Sequence, residues 1–344
     1  MTALGVVWYF LIFLLIAGYF VFDGFDLGAG VLYPFIAKTD EEKALVRHSI
    51  GPVWDGNEVW LLTAGGALFA AFAPAYATTF SGFYLAIMLV LFGLILRAVS
   101  VEFASIDRAW SKVWNACFFV GSLLPALLFG VAVGNIYAGI PMDGMGNYNG
   151  MPLLGLVTPF TLLCGLLGLA MFVAAGASWI ALKSPNPSEL RDRASTVRFG
   201  AQVVVAVLFL AVSAFGHFII QPVMAPELTI VRFACAIVFA LALVGSIALS
   251  MKDDDRDLLV FIAQSAAAVA LVFLLATSMF PNLVVASADS IGASITVATA
   301  ASSDLALTWM LGIACIGVPI VLAYHVFTYR AFAGRLELHA ETEE

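Results

Sequence analysis

Apolar stretches long enough to cross the roughly 30 Å hydrocarbon core of a bilayer as helices recur along almost the whole chain, and no other feature restricts its fold so strongly. They run over about 6–37, 53–72, 80–96, 113–138, 154–182, 199–223, 228–250, 258–281 and 305–329. In lipid, backbone polar groups must be satisfied within the spanning structure, and for isolated apolar runs of this length that means helices. The pattern therefore predicts an all-α polytopic membrane protein with about nine transmembrane helices. The composition agrees, with 62% hydrophobic and 11% charged residues, far from soluble averages.

Basic residues mark the expected orientation, because Lys and Arg in short connections are retained on the cytoplasmic side. Lys38, Lys43 and Arg47 fall in the first connection and Arg97, Arg108 and Lys112 in the third. Lys183, Arg191, Arg193 and Arg198 fall in the fifth, Lys252 and Arg256 in the seventh, and Arg330 and Arg335 after the last helix. Among the other connections only Arg232 breaks the alternation. The N-terminus is expected outside and the C-terminus in the cytoplasm, which requires an odd number of helices. No basic segment precedes the first apolar run, and that run is too long for a signal h-region, so it is expected to persist as an anchor.

No polar stretch is long enough for a soluble domain, so residues 1–344 are expected to form one integral membrane domain, two four-helix bundles plus a peripheral helix. The Gly/Asn-rich stretch around 139–152 and the small-residue stretch 282–304 read as irregular external connections. A formal charge of −8 argues against nucleic-acid binding. Cys117, Cys164, Cys235 and Cys315 are isolated from one another within apolar runs, so they read as packing residues, and no metal site is expected.

The charges inside the apolar runs are the chemistry-bearing feature, since ionisable groups in a membrane persist only when they face a protein interior, water or a partner. Asp23 and Asp26 are three residues apart and share a helix face. Asp55 and Glu58 have the same spacing within Trp54-Asp55-Gly56-Asn57-Glu58-Val59-Trp60. Arg97 closes the third helix, with Glu102 just beyond. Consecutive helices usually pack as neighbours, so Asp23, Asp26, Asp55, Glu58, Arg97 and the less certainly placed Glu102 are proton-transfer candidates at one depth. Carboxyls sharing a low-dielectric site with too few cations cannot all ionise, as a proton relay requires. A salt-bridge network that only fixes helix register is the competing reading. Gly24 and Gly28 form a small-xxx-small pattern that admits a close helix neighbour.

Asp23-Gly24-Phe25-Asp26-Leu27-Gly28, the tryptophan-flanked element continuing to Leu61, Gly65-Gly66-Ala67-Leu68-Phe69-Ala70-Ala71-Phe72, Phe80-Ser81-Gly82-Phe83-Tyr84 and Leu96-Arg97 resemble subunit II of the cytochrome bd family of quinol oxidases. The similarity continues through Gly121-Ser122-Leu123-Leu124-Pro125, Gly130-Val131-Ala132-Val133-Gly134-Asn135 and Met279-Phe280-Pro281 to Val318-Pro319-Ile320. One departure is Glu58, where many relatives carry Gln.

The resemblance implies a subunit of a terminal oxidase that oxidises membrane quinol and reduces O2 to water in the prokaryotic cytoplasmic membrane. Haem b and haem d belong, on that resemblance, to the partner, subunit I. This chain would be catalytically silent alone, stabilise that partner and supply a cytoplasmic proton-entry path, to which Asp55, Arg97 and the Asp23/Asp26 pair correspond. It further implies a structural quinone in some members and leaves room for a small single-helix accessory subunit. The histidines fit a haem-free chain: only His217 lies well within an apolar run, His48 and His325 lie near inner ends, and His339 is in the tail. A proton- or cation-coupled secondary transporter is the alternative from another class; clustering of the charges at one edge instead of the midplane counts against it.

Overall fold

In the computed structural model, which describes residues 1–104, 106–222, 224–252 and 256–337, the first apolar run is a helix with a joint in it. Helix α1 (Ala3–Phe22) is capped by Thr2, whose hydroxyl accepts from the Gly5 N–H at 3.1 Å. It passes through Asp23 into α2 (Gly24–Ile36) with helical hydrogen bonds on both sides of the joint. A surface helix not anticipated in the first connection follows, α3 (Asp40–Ile50), opened by a reciprocal Thr39–Glu42 cap. Its Leu45, Val46 and Ile50 bury against Ile36, Trp179 and Leu190.

The next apolar run becomes α4 (Trp54–Ala71), after which comes a short helix that was not anticipated, α5 (Ala73–Gly82); the following runs become α6 (Tyr84–Phe103), α7 (Ser111–Ala138), α8 (Pro159–Lys183), α9 (Glu189–Phe215), α10 (Thr229–Ser250) and α11 (Asp257–Met279). A short hairpin of β1 (Asn282–Val284) and β2 (Ile295–Thr296) and the single turn α12 (Val297–Ala300) precede the last helix, α13 (Asp304–Ala331). Among the described residues, eight helices are long and apolar enough to cross a membrane, with α1 and α2 counted as one. The remaining expected span is α4. It has 18 residues, about 27 Å at 1.5 Å per residue, but its first turns carry Asp55, Asn57 and Glu58 and lower its hydropathy.

Boundaries differ from expectation where polar residues sit inside helices. α6 continues past Arg97 to Phe103, so Arg97 lies within the helix and is 1% exposed, and Glu102 lies in its last turn instead of a connection. α8 begins at Pro159, after a capping Thr158.

α2 is the central element, packed on α7 and α8, while α8 carries α9 and α11, and α1 packs on α4 and α11. The α2–α8 contact is backbone to backbone: a Cβ on Gly28 would fall 1.7 Å from the Phe172 carbonyl oxygen. The glycine pattern thus serves the close approach expected of it. α13 is the least embedded span, with 6% of its apolar window buried. It is tethered at one end by the Trp8 indole N–H donating to the Leu307 carbonyl at 3.0 Å.

Candidate functional site

Four of the six acidic and basic candidates meet at the α1–α2 joint. Asp23 and Asp26, one helical turn apart, are both fully buried. Arg97, arriving from α6, places Nη2 2.8 Å from Asp23 Oδ1 as an ion pair, and the same nitrogen donates to Glu58 of α4. The side chain of Glu58 is 23% exposed, so it forms the outer edge of the cluster. Among these described residues one guanidinium faces three carboxyl groups.

The remaining two candidates stand apart from this core. Asp55 is exposed, and its carboxylate accepts from the Gly56 N–H at 2.7 Å. Glu102 is also exposed and accepts from the Trp54 indole N–H at 3.3 Å. The expectation that the candidates share one cluster therefore holds for Asp23, Asp26, Glu58 and Arg97. Asp55 lies about 60° around α4 from Glu58, as a three-residue spacing dictates, and that offset puts it on the exposed flank of the face that carries Glu58 into the cluster. Arg97 pairs with Asp23 and Glu58.

Several polar atoms in the cluster have no hydrogen-bond partner among the described residues, namely Asp26 Oδ1 and Arg97 Nε and Nη1, while Asp23 Oδ1 is engaged by the Arg97 ion pair. A purely structural ion-pair network gains stability only when its remaining lone pairs and protons are satisfied. The unsatisfied atoms sit within a helix junction otherwise packed with apolar side chains.

Three residues at the site, Asn57, Tyr329 and His325, were not among the candidates. Asn57, fully buried, donates from Nδ2 to Asp26 Oδ2 at 2.8 Å and accepts from the Tyr329 hydroxyl of α13 at 3.0 Å. One helical turn earlier on α13, His325 is 5% exposed, and its Nε2 accepts from the Trp60 indole N–H at 3.1 Å. Indole nitrogen can only donate, so Nε2 is unprotonated and Nδ1–H donates to the Val321 carbonyl at 2.9 Å. Phe22, Trp60, His325 and Tyr329 pack ring against ring around this junction. The sequence signal for Asn57 was its place inside the tryptophan-flanked element; for Tyr329 and His325 there was none.

The histidine expected deepest is not the buried one. His217 is exposed on a π turn (Gly216–Ile220) beyond α9, His48 is exposed on α3, and His339 lies outside the described residues. Among the described residues no group of three or more His, Cys, Asp or Glu could hold a metal ion.

A second charged centre lies where α9 and α11 begin. Asp257 receives Arg198 Nη1 at 2.7 Å, Arg191 Nε at 2.9 Å and Arg335 Nη2 at 3.2 Å. Arg335 also donates to the carbonyls of Ala181 and Ser184, and the Leu336 N–H donates to the Lys183 carbonyl, clamping the segment after α13 to the end of α8. Between α8, α9, α10 and α11 runs a chamber of about 790 Å³. Its polar lining includes Gln202, whose amide has no partner among the described residues, Gln264, which accepts from Ser178, and Arg232, which donates to the carbonyls of Ala225 and Thr277.

Comparison with known proteins gives one consistent answer. Residues 4–332 match the sequence profile of the family described as cytochrome bd terminal oxidase subunit II. The chain is 36% identical to a probable cytochrome oxidase subunit 2 of Haemophilus influenzae and 33% identical to the cytochrome bd-I ubiquinol oxidase subunit 2 of Escherichia coli K12, in each case over 96% of this chain and 94% of the relative. It is 31% identical to the cytochrome bd ubiquinol oxidase subunit 2 of Bacillus subtilis, over 98% of both chains. A solved bd oxidase from Geobacillus thermodenitrificans shares the fold, with a TM-score of 0.74 over 96% of this chain and 99% of that one at 14% identity.

Proposed function

Since the chain belongs to the cytochrome bd terminal oxidase subunit II family, we propose that it supports a haem-bearing subunit I and delivers cytoplasmic protons to the complex. The complex would oxidise membrane quinol and reduce O2 to water. The supporting observation is the buried cluster itself, in which Asp23, Asp26 and Glu58 face the single guanidinium of Arg97 with polar atoms left unpaired. One cation cannot balance three clustered carboxylates, two of them fully buried, so a proton shared among them completes the charge balance.

Burial orders the route. Asp55 is exposed, Glu58 half-buried, and Asp23 and Asp26 fully buried. Asp55 collects protons, Glu58 takes them at the edge of the cluster, and Asp23 and Asp26 hold them inside, with Arg97 poising the set. Glu102, tied to Trp54, sits beside the entrance. This reading places the N-terminus outside and the C-terminus in the cytoplasm, makes α4 the ninth span of a single membrane domain of two four-helix bundles with α13 peripheral, and sets the complex in the bacterial cytoplasmic membrane. The transporter alternative has no support from the family.

Haem b and haem d are assigned to subunit I. The one buried histidine among the described residues, His325, commits both ring nitrogens to Trp60 and Val321, so its donor chemistry does not suit an axial ligand. A structural quinone suits the chamber between α8 and α11: its size is in the range of small-molecule sites, and the amides of Gln202 and Gln264 are potential donors to ring carbonyls. A small accessory subunit would complete the assembly.

The test is the complex purified through a tag on this chain, compared with Asp26→Asn by optical spectrum and quinol-driven oxygen consumption. Haem in a co-purified partner, with turnover falling by roughly 10²-fold while haem is retained in the variant, is the expected result. A haem-free chain purifying alone would sink the oxidase role, and a variant with full turnover would sink the proton path.

A further inference from the structure

Asn57 of α4 bridges two other helices through its side chain. Its amide donates to Asp26 on α2 and accepts from Tyr329 on α13, and it is fully buried. An asparagine amide carries an acceptor at one end and donors at the other, and a tyrosine hydroxyl can do both. We infer that Asn57 is a positioning residue whose amide turns with the proton on Asp26, with Tyr329 completing its hydrogen bonds in either orientation, so that Asp26 is linked to helix α13.

The two arrangements follow from the bonds. With Asp26 ionised, Nδ2–H points at its carboxylate and Oδ1 accepts from the Tyr329 hydroxyl, as the structure records. When Asp26 takes a proton, a half-turn of the amide lets Oδ1 accept from the carboxyl O–H, and Nδ2–H then donates to the Tyr329 oxygen. In both states the Asn57 amide keeps a hydrogen bond to Asp26 and one to Tyr329, so the buried amide itself is never left without its two partners. A leucine of the same shape could satisfy neither. A carboxyl in a relay must be stable both with and without its proton, and this pair supplies that property to Asp26.

The charged and titratable groups facing Asp26 are Asp23 from the α1–α2 joint, Glu58 from α4, Arg97 from α6 and Tyr329 from α13. Asn57 is the neutral member, able to follow a proton without carrying charge. Because α13 is so lightly embedded, its seat on the junction depends on this bond and on the Trp60–His325 bond one turn away.

The inference rests on the proton-entry reading for its purpose but not for its test. In the intact complex, infrared difference spectra across pH should show the tyrosine C–O stretch of Tyr329, assigned by its loss in Tyr329→Phe, changing in step with the carboxyl stretch that disappears in Asp26→Asn. Asn57→Leu should abolish the tyrosine response. It should also move the acid limb of turnover about one pH unit upward, a tenfold change in proton occupancy, since the charge-assisted bond to ionised Asp26 is the stronger one lost. A Tyr329 band indifferent to Asp26, or a response that survives Asn57→Leu, overturns the inference. Wild-type spectra with Tyr329→Phe decide the matter even if Asn57→Leu does not assemble. Full turnover in Asp26→Asn would remove the proton-entry reading while the tyrosine response still stood.

Discussion

The two charged centres of this chain are near opposites. At the α1–α2 joint, carboxyl groups of Asp23, Asp26 and Glu58 share one arginine, and polar atoms on both sides remain unpaired. At the start of α11, arginines from α9 and from the segment after α13 surround one carboxylate, Asp257, and both of its oxygens are engaged. A buried acid saturated by donors is fixed in its charge state and serves as a fastener. Acids in excess of cations keep a proton to exchange. The same residue types therefore do different work according to which sign is in surplus, and burial alone does not distinguish them.

The comparison is most exposed to failure at Asp257, where the largest effect is expected. Asp257→Ala would leave Arg198, 5% exposed, without its carboxylate, and breaking one side of a buried pair costs about 3–5 kcal/mol. Loss of the assembled complex, measured by co-purification and by the haem spectrum, is the expected outcome. At the acid-rich centre, Asp26→Asn should preserve assembly and haem while lowering turnover. If Asp257→Ala assembled normally and Asp26→Asn did not, the assignment of fastener and relay would have to be exchanged.

How far these centres could be read from sequence differs in the same way. The aspartates declared themselves, because a carboxylate inside an apolar run has few explanations, and the three-residue spacing of Asp23 and Asp26 put them on one face. Gly28 was legible as a close-contact residue for the same local reason. The second centre was hidden in plain view: Arg191, Arg198 and Arg335 served as orientation markers, and nothing in their spacing foretold convergence on Asp257. The pairings of Asn57 with Tyr329 and of Trp60 with His325 were beyond reach because partners 272 and 265 residues apart are set by how α13 docks, which no local period encodes. Arg97 was misplaced at a helix end because a charge usually ends an apolar run; its partners let α6 continue past it.

A gentler cut sharpens the fastener. Arg335→Ala removes one of the cations on Asp257 and two donors to the carbonyls of Ala181 and Ser184, but leaves Arg191 and Arg198 in place. The side chain is 25% exposed, so the ion pair is partly screened by water and the loss should be about 1–2 kcal/mol, mostly from the backbone contacts. A thermal-unfolding scan of the complex should show a drop of a few degrees with unchanged turnover at ambient temperature. A turnover defect without that drop would mean the segment after α13 does more than clamp α8.

The smallest expected effect comes from an acid with no arginine at all. Asp143, in the connection after α7, accepts from the backbone N–H groups of Asn147 and Met145, at 2.9 and 2.8 Å, and from the Asn147 side-chain amide. The Asn147 backbone bond foremost, then its side chain, hold the carboxyl below its ordinary value. A folded-state value below the unfolded one means the contribution is present above about pH 4 and is lost as pH falls through the lowered value. Amide exchange at Met145 and Asn147, corrected for the intrinsic pH dependence, should therefore lose protection only under acid conditions, and Asp143→Asn should reduce it at neutral pH without altering turnover. Because the carboxyl's bonds are confined to its own connection its effect should stay local, whereas the buried acids are expected to act on the whole complex; an acid-triggered loss of turnover that followed Asp143 would break the proposal that acids in surplus at a buried centre govern proton traffic.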